Sequence, residues 1–512
     1  MWFDAARNVC VYDTPGDERI ATMVPGAVKL NNGYVACPAS LYNLQFLRYL
    51  GFPTIAPLDQ DYDWPGRYTP FTAQRVTANF LAVHPRAFVL NDMGTGKTLA
   101  ALWAADYVME RNPGLRALVV APLSTLERVW ADGIFQNLLG RRTAVVLHGS
   151  AAKRKELLAT PADFYIVNYD GVEVLAKELA NRTDIRMAIV DEASAYRNRT
   201  TARHALARKI LAVRDYLWMM TGTPLPNGPT DAYGMAKLVN NCFGEGWKSY
   251  HDRTMFQLSS FKWVPKTGAH NEAHKLLQPS VRFEISDCID LPPCTVQARD
   301  VDMSPAQISE YKNMRRDAVI MSKSGKPITA ANEAVLRMKL IQIACGAVYG
   351  NDKEIHLVDA RPRLQALKEI VEQCRQKIIV FAPLTSVVNM LHRELKADYS
   401  VTIINGKVTR KERDVAFARF MDSEHPRILV ADPGTMSHGL TLTAASTIVW
   451  YAPTDSTEEY LQANKRIDRP GQMFPTTIVQ LASTPIEREI YKRLAAKESM
   501  QGLVLDLARG RL

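Results

Sequence analysis

The feature of this sequence that most constrains its fold is a double series of short apolar runs separated by segments of helical length. The first series is AFVL (87–90), ALVVAP (117–122), AVVLHG (144–149), FYIVNY (164–169), MAIVDE (187–192) and YLWMMTGTP (216–224). The second series is KIIVFAP (377–383), VTIING (401–406), RILVAD (427–432), TIVWYA (447–452) and TTIVQLA (476–482). Strands that are apolar on both faces and alternate with helices are typical of a buried parallel sheet. The two series therefore predict two α/β lobes in tandem.

The rest of the chain divides around these two lobes. At 512 residues the chain exceeds the size at which a single core stops growing. We expect a small N-terminal α/β domain at residues 1–66 and a first lobe at residues 67–240. An inter-lobe helical or irregular segment at 241–299 would lead to a second lobe at 300–485, followed by a C-terminal helical tail at 486–512. The N-terminal domain matches no motif, and it either packs as a small core on the first lobe or contacts DNA or a DNA junction.

Composition narrows the class of protein. The net charge of +10 and the pI near 9.1 indicate an acidic partner, and nucleic acid is the usual one. The seven cysteines include no C-x-x-C pair, which favours a reducing cytoplasm over a zinc site or a disulfide framework. No apolar run approaches the roughly 20 residues of a membrane helix, and the N-terminus lacks the layout of a signal peptide. We expect a cytoplasmic protein without membrane contacts.

The segment NDMGTGKT (91–98) lies between a predicted strand and a predicted helix. It satisfies the P-loop pattern G-x-x-x-x-G-K-[ST] except that Asn91 replaces the first glycine. In such loops, backbone N–H groups and the N-terminal end of the following helix bind phosphate oxygens. Lys97 would reach the β- and γ-phosphates of ATP, and the Thr98 hydroxyl would hold Mg²⁺. The candidate nucleotide-binding residues of the loop are Gly94, Thr95, Gly96, Lys97 and Thr98.

The segment MAIVDEAS (187–194) supplies two adjacent carboxylates at the end of a predicted strand. Ligands of parallel α/β sheets bind at the carboxyl ends of the strands, so both groups should lie near the P-loop. Asp191 is suited to hold the metal, directly or through water. Glu192 is suited to polarise the attacking water as a general base.

The chain resembles the Swi/Snf-type DNA-dependent ATPases of helicase superfamily 2, over about residues 67–490. Five segments carry this resemblance by their order and spacing: GTGKT, DEAS, TGTPLPN (221–227), GLTLTAAS (439–446) and QANKRIDRPGQ (462–472). The resemblance implies two RecA-like lobes with an ATP cleft between them, in the compact form of a bacterial or phage protein. Two departures are Asn91, where a small or acidic residue is usual, and Ser194, which replaces the His of DEAH.

The resemblance also implies further residues of the ATP site. Gln74 is placed like the glutamine that recognises adenine, and Gly439 like a nucleotide-binding glycine of the second lobe. Arg466 and Arg469 would stabilise the charge that develops on the γ-phosphate, and Gln462 would orient this pair or the water. In the turn after a strand, Thr221 and Thr223 either couple the ATP site to the DNA-binding face or form a tight turn.

DNA contacts are expected in both lobes. Contacts to the phosphate backbone are independent of sequence and sensitive to salt. The candidate residues of the first lobe are Ser124, Thr125, Arg128 and Asn168, and those of the second lobe are Lys407, Arg410 and Arg413. Charged runs of this kind also occur as solvated helix faces, so the prediction concerns the group rather than each residue.

Taken together, these features predict an ATP-dependent translocase of double-stranded DNA. We expect ATP and Mg²⁺ as cofactors, a monomer acting on duplex or branched DNA, and a role in recombination, repair or fork remodelling. Two alternatives remain open: a strand-separating DNA or RNA helicase, and an ATP-gated DNA clamp or subunit of a larger complex.

Overall fold

A computed structural model describes residues 1–14, 16–31, 33–138, 140–259, 262–288, 290–323, 330–349, 354–436 and 441–508. Side chains are described at these positions except 262, 317–323, 330–334, 410 and 499–508. The chain divides into two compact units. The first unit contains Met1–Cys288 and the chain end from Met500, and the second unit contains Ile289–Ser499.

The first unit begins with a small antiparallel sheet. Its strands are β1 (Trp2–Asp4), β2 (Val9–Tyr12), β3 (Val28–Lys29) and β4 (Val35–Pro38), in the order β1-β2-β4-β3. The helices beside it are α1 (Arg19–Met23) and α2 (Leu41–Tyr49). The Ser40 side chain caps α2 by accepting a hydrogen bond from the Asn43 backbone N–H. Cys10, Leu47 and Val83 belong to one buried cluster, so this sheet shares a core with the helix that precedes the P-loop.

A parallel sheet forms the main part of the first unit. Its strands are β5 (Arg86–Val89), β6 (Arg116–Val120), β7 (Ala144–Val146), β8 (Phe164–Val167), β9 (Ile185–Val190), β10 (Tyr216–Met220) and β13 (Ser280–Val281). Between β10 and β13 in the chain, β11 (Met255–Ser259) and β12 (Lys262–Pro265) form a separate antiparallel hairpin. The strand order is β13-β5-β10-β9-β6-β8-β7. Strands β5 to β10 coincide with the first apolar series, which confirms the first predicted α/β lobe.

Helices cover both faces of this sheet. They are α3 (Leu58–Asp61), α4 (Thr72–Val83), α5 (Lys97–Arg111), α6 (Asp132–Asn137), α7 (Ala151–Ala159), α8 (Tyr169–Val174), α9 (Ala176–Ala180), α10 (Ala202–Ile210), α11 (Asp231–Val239), α12 (Trp247–Thr254) and α13 (Ala269–Leu276). Successive side chains of a strand point to opposite faces. Accordingly, Ala87 and Val89 belong to one buried cluster, and Phe88 and Leu90 belong to another. This two-sided burial explains why the strands are continuous apolar runs.

The second unit is built around another parallel sheet. The strands of the unit are β14 (Cys294–Asp300), β15 (Ala347–Tyr349), β16 (Ile355–Leu357), β17 (Lys377–Phe381), β18 (Val401–Ile404), β19 (Ile428–Ala431), β20 (Ala445–Trp450) and β21 (Thr476–Ala482). The sheet has the order β14-β21-β20-β17-β19-β18, whereas β15 and β16 form a separate antiparallel pair. The remaining helices are α14 (Pro305–Lys323), α15 (Ala330–Cys345), α16 (Arg361–Gln373), α17 (Thr385–Leu395), α18 (Arg410–Asp422), α19 (Thr457–Asn464) and α20 (Pro485–Ala508). This arrangement confirms the second predicted α/β lobe.

A buried ion pair joins α16 to α20. The Arg363 guanidinium donates to a carboxylate oxygen of Glu487 at 2.6 Å, and both side chains are fully buried. The same guanidinium donates to the carbonyl oxygens of Tyr451 and Leu481. Since both charges are hydrogen-bonded, the pair offsets part of its desolvation cost and fixes the start of α20 on the sheet.

Two edge strands, β13 and β14, lie where the sequence showed no alternation of strands and helices. Strand β13 pairs with β5, and β14 pairs along its whole length with β21. Most residues of β14 are exposed, so it carries no apolar run. Among the described residues, no helix has the length and apolar content needed to cross a membrane.

Candidate ATP site

The P-loop follows β5 and ends at the first turn of α5. Gly94 and Gly96 have φ angles of 91° and 77°, in the left-handed region that glycine adopts without a steric cost. A Cβ atom at Gly96 would collide with the side-chain nitrogen of Gln74. Thr95 is buried, and its hydroxyl donates to the carbonyl oxygen of Asp92 at 2.8 Å. The positive φ angle at position 96 therefore favours glycine, and a larger residue there would also displace the end of the Gln74 side chain.

Lys97 is the first residue of α5, and its side chain folds back over the loop. Its Nζ atom donates to the carbonyl oxygens of Asn91 at 2.9 Å and Asp92 at 3.0 Å. Burial lowers the pKa of the Lys97 ammonium, and the nearby carboxylates of Glu192 and Asp191 offset part of that shift. The structure thus brings together the lysine and the two acidic residues that the sequence predicted for one site.

Asn91 and Gln74 connect the loop to α4. The Asn91 amide donates to the Thr77 hydroxyl at 2.9 Å, and its carbonyl oxygen accepts from the Phe283 backbone N–H at 3.0 Å. Gln74 is buried and accepts from the Phe71 backbone N–H at 2.9 Å, so it also caps α4. The amide at position 91 therefore makes two contacts that a glycine could not make, which gives a physical reason for this departure from the P-loop pattern.

Asp191 and Glu192 immediately follow β9, next to the P-loop. The Oδ1 atom of Asp191 accepts from the Glu192 backbone N–H at 3.1 Å, and Oδ2 accepts from the Trp130 indole N–H at 3.1 Å. Glu192 adopts φ 47° and ψ 55°, a left-handed conformation that is unfavourable for a residue with a side chain. Ser194, at the position of the histidine of DEAH, is buried in the following 3₁₀ turn.

The turn TGTP (221–224) follows β10 and lies against the P-loop. A Cβ atom at Gly222 would come within 3.5 Å of Met93 and of the Asn91 carbonyl oxygen. Thr221 is buried, and its hydroxyl oxygen accepts from the Thr223 backbone N–H at 3.0 Å. The Thr223 hydroxyl is buried without a hydrogen-bond partner among the described residues. Both threonines thus stand close to the nucleotide-binding loop.

In the second unit, the segment QANKRIDRPGQ spans the end of α19 and the turns after it. Gln462 lies on α19, whereas Arg466 and Arg469 lie beyond the helix end at Asn464, and all three side chains are buried. The Arg469 guanidinium donates to the Lys465 carbonyl oxygen at 2.8 Å and to the Thr441 hydroxyl at 3.4 Å. The segments GLTLTAAS (439–446) and QANKRIDRPGQ (462–472) are therefore in direct contact through Thr441 and Arg469. Gly439 lies outside the described residues.

The nucleic-acid candidates of the first unit differ in their exposure. Arg128 is exposed and Ser124 is half-buried, both in the segment after β6. Thr125 is buried, and its hydroxyl donates to the Pro122 carbonyl oxygen at 2.9 Å. Asn168 is also buried, and its carbonyl oxygen accepts from Arg154 at 3.0 Å. Arg128 is the charged member of these four residues, and its side chain is exposed.

In the second unit, the candidates lie at the N-terminal end of α18. Lys407 is exposed in the turn before the helix, and its backbone N–H donates to the Asn405 side chain at 3.0 Å. Arg413 is half-buried and donates to the Thr435 carbonyl oxygen at 2.8 Å. The Arg410 side chain lies outside the described residues. Lys407 thus offers an accessible charge, whereas the Arg413 guanidinium is engaged within the unit.

Three contacting residues were not among the sequence-based candidates. Trp130, Tyr169 and Arg282 all contact the P-loop or the Asp191–Glu192 pair. Trp130 and Tyr169 belong to APLSTLERVW (121–130) and NYDG (168–171), in which the predicted nucleic-acid contacts are polar residues. An indole or phenol group in an apolar context is usually part of a core, so no local signal separates these two from ordinary core residues.

The oxygen groups near the loop suit a nucleotide with Mg²⁺. The Thr98 hydroxyl stands in the first turn of α5, and Asp191 follows β9, which is separated from β5 by β10 in the same sheet. Hydroxyl and carboxylate oxygens are the protein ligands that Mg²⁺ prefers, and the two oxygens of a carboxylate together offer about four acceptor positions. Together with the positive end of α5 and the glycines of the loop, these residues fit a Mg²⁺–ATP complex.

The fold and this site define a helicase-type P-loop ATPase. The family model of the SNF2-related domain matches residues 82–345, and the model of the helicase conserved C-terminal domain matches residues 362–471. The chain therefore belongs to the SNF2-related family and is an ATPase of the Swi/Snf type.

Individual relatives are identical to this chain at about a quarter of the matched positions. Protein p41 of Acyrthosiphon pisum secondary endosymbiont phage 1 is 26% identical over 468 residues, which cover 86% of this chain and 98% of the phage protein. The SWI/SNF-related matrix-associated actin-dependent regulator of chromatin subfamily A-like protein 1 of Xenopus laevis is 25% identical over 432 residues. That match covers 82% of this chain but 42% of the Xenopus protein.

Among solved structures, the Sulfolobus solfataricus SWI2/SNF2 ATPase core in complex with dsDNA is similar to this chain, with a TM-score of 0.40 and 18% identity. The similarity covers 88% of this chain and 95% of the archaeal one.

Proposed function

We propose that the protein couples ATP hydrolysis to movement along double-stranded DNA. The observation that carries this proposal is that the carboxylates of Asp191 and Glu192 act electrostatically on the buried Lys97 ammonium beside a glycine loop, in a chain of the SNF2-related family. The basic net charge supports a polyanionic partner.

In the proposed reaction, Lys97 binds the β- and γ-phosphates and exchanges its present bonds to the Asn91 and Asp92 carbonyl oxygens for phosphate oxygens. Thr98 and Asp191 would hold Mg²⁺, which when bound neutralises charge on the phosphate oxygens. Glu192 accepts a proton from the attacking water and orients it toward the γ-phosphate.

Arg466 and Arg469 complete the proposed site by stabilising charge on the γ-phosphate in the transition state. Gln462 would orient these arginines or the water. Since the arginines belong to the second unit and Lys97 to the first, hydrolysis would depend on the two units acting together. Such dependence is what allows a motor to convert hydrolysis into movement.

The proposed track is the phosphate backbone of duplex DNA. Arg128 and Lys407 are the exposed candidates of the two units, and Ser124 is partly accessible. Contacts of this kind are independent of base sequence. We further propose a role in recombination, repair or fork remodelling, in which residues 1–66 would favour branched DNA.

The test is steady-state ATP hydrolysis without nucleic acid and with single-stranded DNA, duplex DNA, a branched junction or RNA, each at two salt concentrations. Strong stimulation by duplex DNA that weakens with salt is the expected result, and displacement of a triplex-forming strand would then demonstrate movement. Stimulation chiefly by single strands or RNA would instead indicate a strand-separating helicase. Tight ATP-dependent DNA binding with slow turnover would indicate a clamp.

A further inference from the structure

Two aromatic side chains, one fully buried and one half-buried, donate hydrogen bonds to the Asp191–Glu192 pair. The first is Trp130, which is fully buried in a π-helical segment, Leu126–Ala131. Its indole N–H donates to the Oδ2 atom of Asp191 at 3.1 Å. A hydrogen bond to a carboxylate is among the stronger ones in proteins, so this contact restricts the orientation of the Asp191 side chain.

The second donor is Tyr169, the first residue of α8. Its hydroxyl donates to the carbonyl oxygen of Asp191 at 2.7 Å and lies 3.2 Å from that of Glu192. The Arg203 guanidinium lies 5.4 Å from the centre of the Tyr169 ring and pairs with Asp170 at 2.9 Å. Tyr169 therefore holds the backbone of the acidic pair, whereas Trp130 holds the Asp191 side chain.

Both donors lie within segments that carry candidate nucleic-acid contacts. Trp130 is two residues from the exposed Arg128, and Tyr169 directly follows Asn168. Single π-helical turns are rare and occur frequently at functional sites. A small shift of either segment would therefore move a donor that contacts the catalytic pair.

The backbone of the acidic pair is suited to respond to such a shift. Glu192 has a left-handed conformation, which persists only where surrounding contacts maintain it. Tyr169 provides two of those contacts. Ser194, which replaces the histidine of the DEAH pattern, is buried in the turn that directly follows the pair.

We propose that Trp130 and Tyr169 are positioning residues that transmit nucleic-acid binding on the first unit to the orientation of Asp191 and Glu192. This inference rests on the proposed function, in which nucleic acid stimulates hydrolysis. Neither aromatic residue touches ATP in this proposal. Each acts through the acidic pair.

The test compares Trp130→Phe and Tyr169→Phe with wild type and with Trp218→Phe. Trp218 is an equally buried tryptophan whose indole N–H donates to the His84 carbonyl oxygen at 3.0 Å, at the end of β5 remote from the P-loop. The measurements are kcat and KM for ATP with and without saturating duplex DNA, the Mg²⁺ concentration for half-maximal rate, and the melting temperature.

We expect Trp130→Phe to lower the ratio of DNA-stimulated to basal kcat by about tenfold, the effect of losing one hydrogen bond to a charged group. The Mg²⁺ requirement of this variant should rise, and KM for ATP should change less than kcat. Tyr169→Phe should lower the same ratio. Because this substitution removes a single hydroxyl, it tests the inference even if Trp130→Phe does not fold. Trp218→Phe should keep the wild-type ratio even where its melting temperature falls.

A wild-type stimulation ratio in both Trp130→Phe and Tyr169→Phe would overturn the inference and leave the proposed function intact. An equal loss of the ratio in Trp218→Phe would also overturn it, because the effect would then be one of general packing. If the wild-type protein is stimulated by no nucleic acid, the proposed function itself fails, and the inference fails with it.

Discussion

The Arg282 guanidinium donates a hydrogen bond to the Oδ1 atom of Asp92 at 2.7 Å, although 190 residues separate them in sequence. Arg282 is nearly fully buried, and it also donates to the Leu90 carbonyl oxygen at 2.8 Å. From the same segment, the Ile285 backbone N–H donates to Oδ2 of Asp92 at 3.3 Å. The chain that follows β13 therefore anchors the start of the P-loop.

Replacing Arg282 by Met should destabilise the first unit and weaken ATP binding. The substitution removes the hydrogen bonds that Arg282 donates to Asp92 and to the Leu90 carbonyl oxygen, and leaving such acceptors unsatisfied costs about 1–3 kcal/mol. Denaturant unfolding and ATP titration measure the two effects. The matched control is Arg186→Met, whose exposed pair with Asp215 should contribute about 1 kcal/mol or less. Equal losses of stability and ATP affinity in Arg282→Met and Arg186→Met would contradict the proposed anchoring of the P-loop by Arg282.

Replacing Lys97 by Ala should abolish ATP binding or turnover. The ammonium group is buried in the loop, where it would meet phosphate oxygens, and each hydrogen bond to a charged group contributes about 1.5–3 kcal/mol. A loss of at least about tenfold in ATP affinity is therefore expected in nucleotide titrations. Lys153→Ala removes an exposed lysine paired with Glu156 and should leave affinity at the wild-type value. Normal turnover by Lys97→Ala would exclude the P-loop assignment.

Replacing Glu192 by Gln should give a protein that binds ATP but hydrolyses it very slowly. The amide keeps the size of the side chain and loses the basic group, and general-base catalysis contributes about 10²–10⁴-fold in rate. Single-turnover hydrolysis and ATP titration distinguish the two steps. A rate within threefold of wild type, about 0.7 kcal/mol in the barrier, would assign the base to another residue.

Replacing Arg469 by Ala should preserve ATP affinity and remove most DNA-stimulated hydrolysis. An arginine that stabilises the transition state contributes about 10³–10⁵-fold in rate. The control is Arg361→Ala, which removes a highly exposed arginine paired with Asp359 at 2.7 Å. If Arg469→Ala turned over normally with DNA, the role of this arginine at the γ-phosphate would be refuted.

Glu459 should make the stability of the second unit dependent on pH. Burial raises the pKa of the Glu459 carboxyl, and the nearby Asp432 raises it further. Because the pKa in the folded state exceeds the unfolded value, ionisation costs stability above the folded pKa, and this cost vanishes below the unfolded pKa. Glu459→Gln should therefore raise the melting temperature at pH 7.

The advantage of Glu459→Gln should disappear as the pH falls toward about 4, where the wild-type carboxyl is also neutral. Thermal melts of both proteins across this range provide the measurement. The amide oxygen can still accept the hydrogen bond that the Thr454 hydroxyl donates to Glu459 at 2.9 Å. A difference in melting temperature that is constant with pH would point to packing rather than charge.

The sequence by itself determined the two parallel sheets and the identity of the P-loop. Buried parallel strands need apolar residues on both faces, so β5–β10 and the strands from β17 onward appear as apolar runs. The phosphate loop needs glycines and a lysine at fixed spacing, so Gly94, Gly96 and Lys97 are readable without a structure. These requirements are local, and local requirements leave a pattern in the sequence.

Tertiary structure alone decided how distant residues support that loop. Strand β14 is largely exposed at a sheet edge. Its pairing with β21 depends on backbone hydrogen bonds, which many different side chains allow, so the pairing leaves no pattern in the sequence. The contacts of Trp130 with Asp191 and of Arg282 with Asp92 join residues 61 and 190 positions apart. Such contacts depend on strand order and on the packing of side chains between layers. A single sequence does not reveal either, because many distant partners are chemically equivalent until the chain has folded.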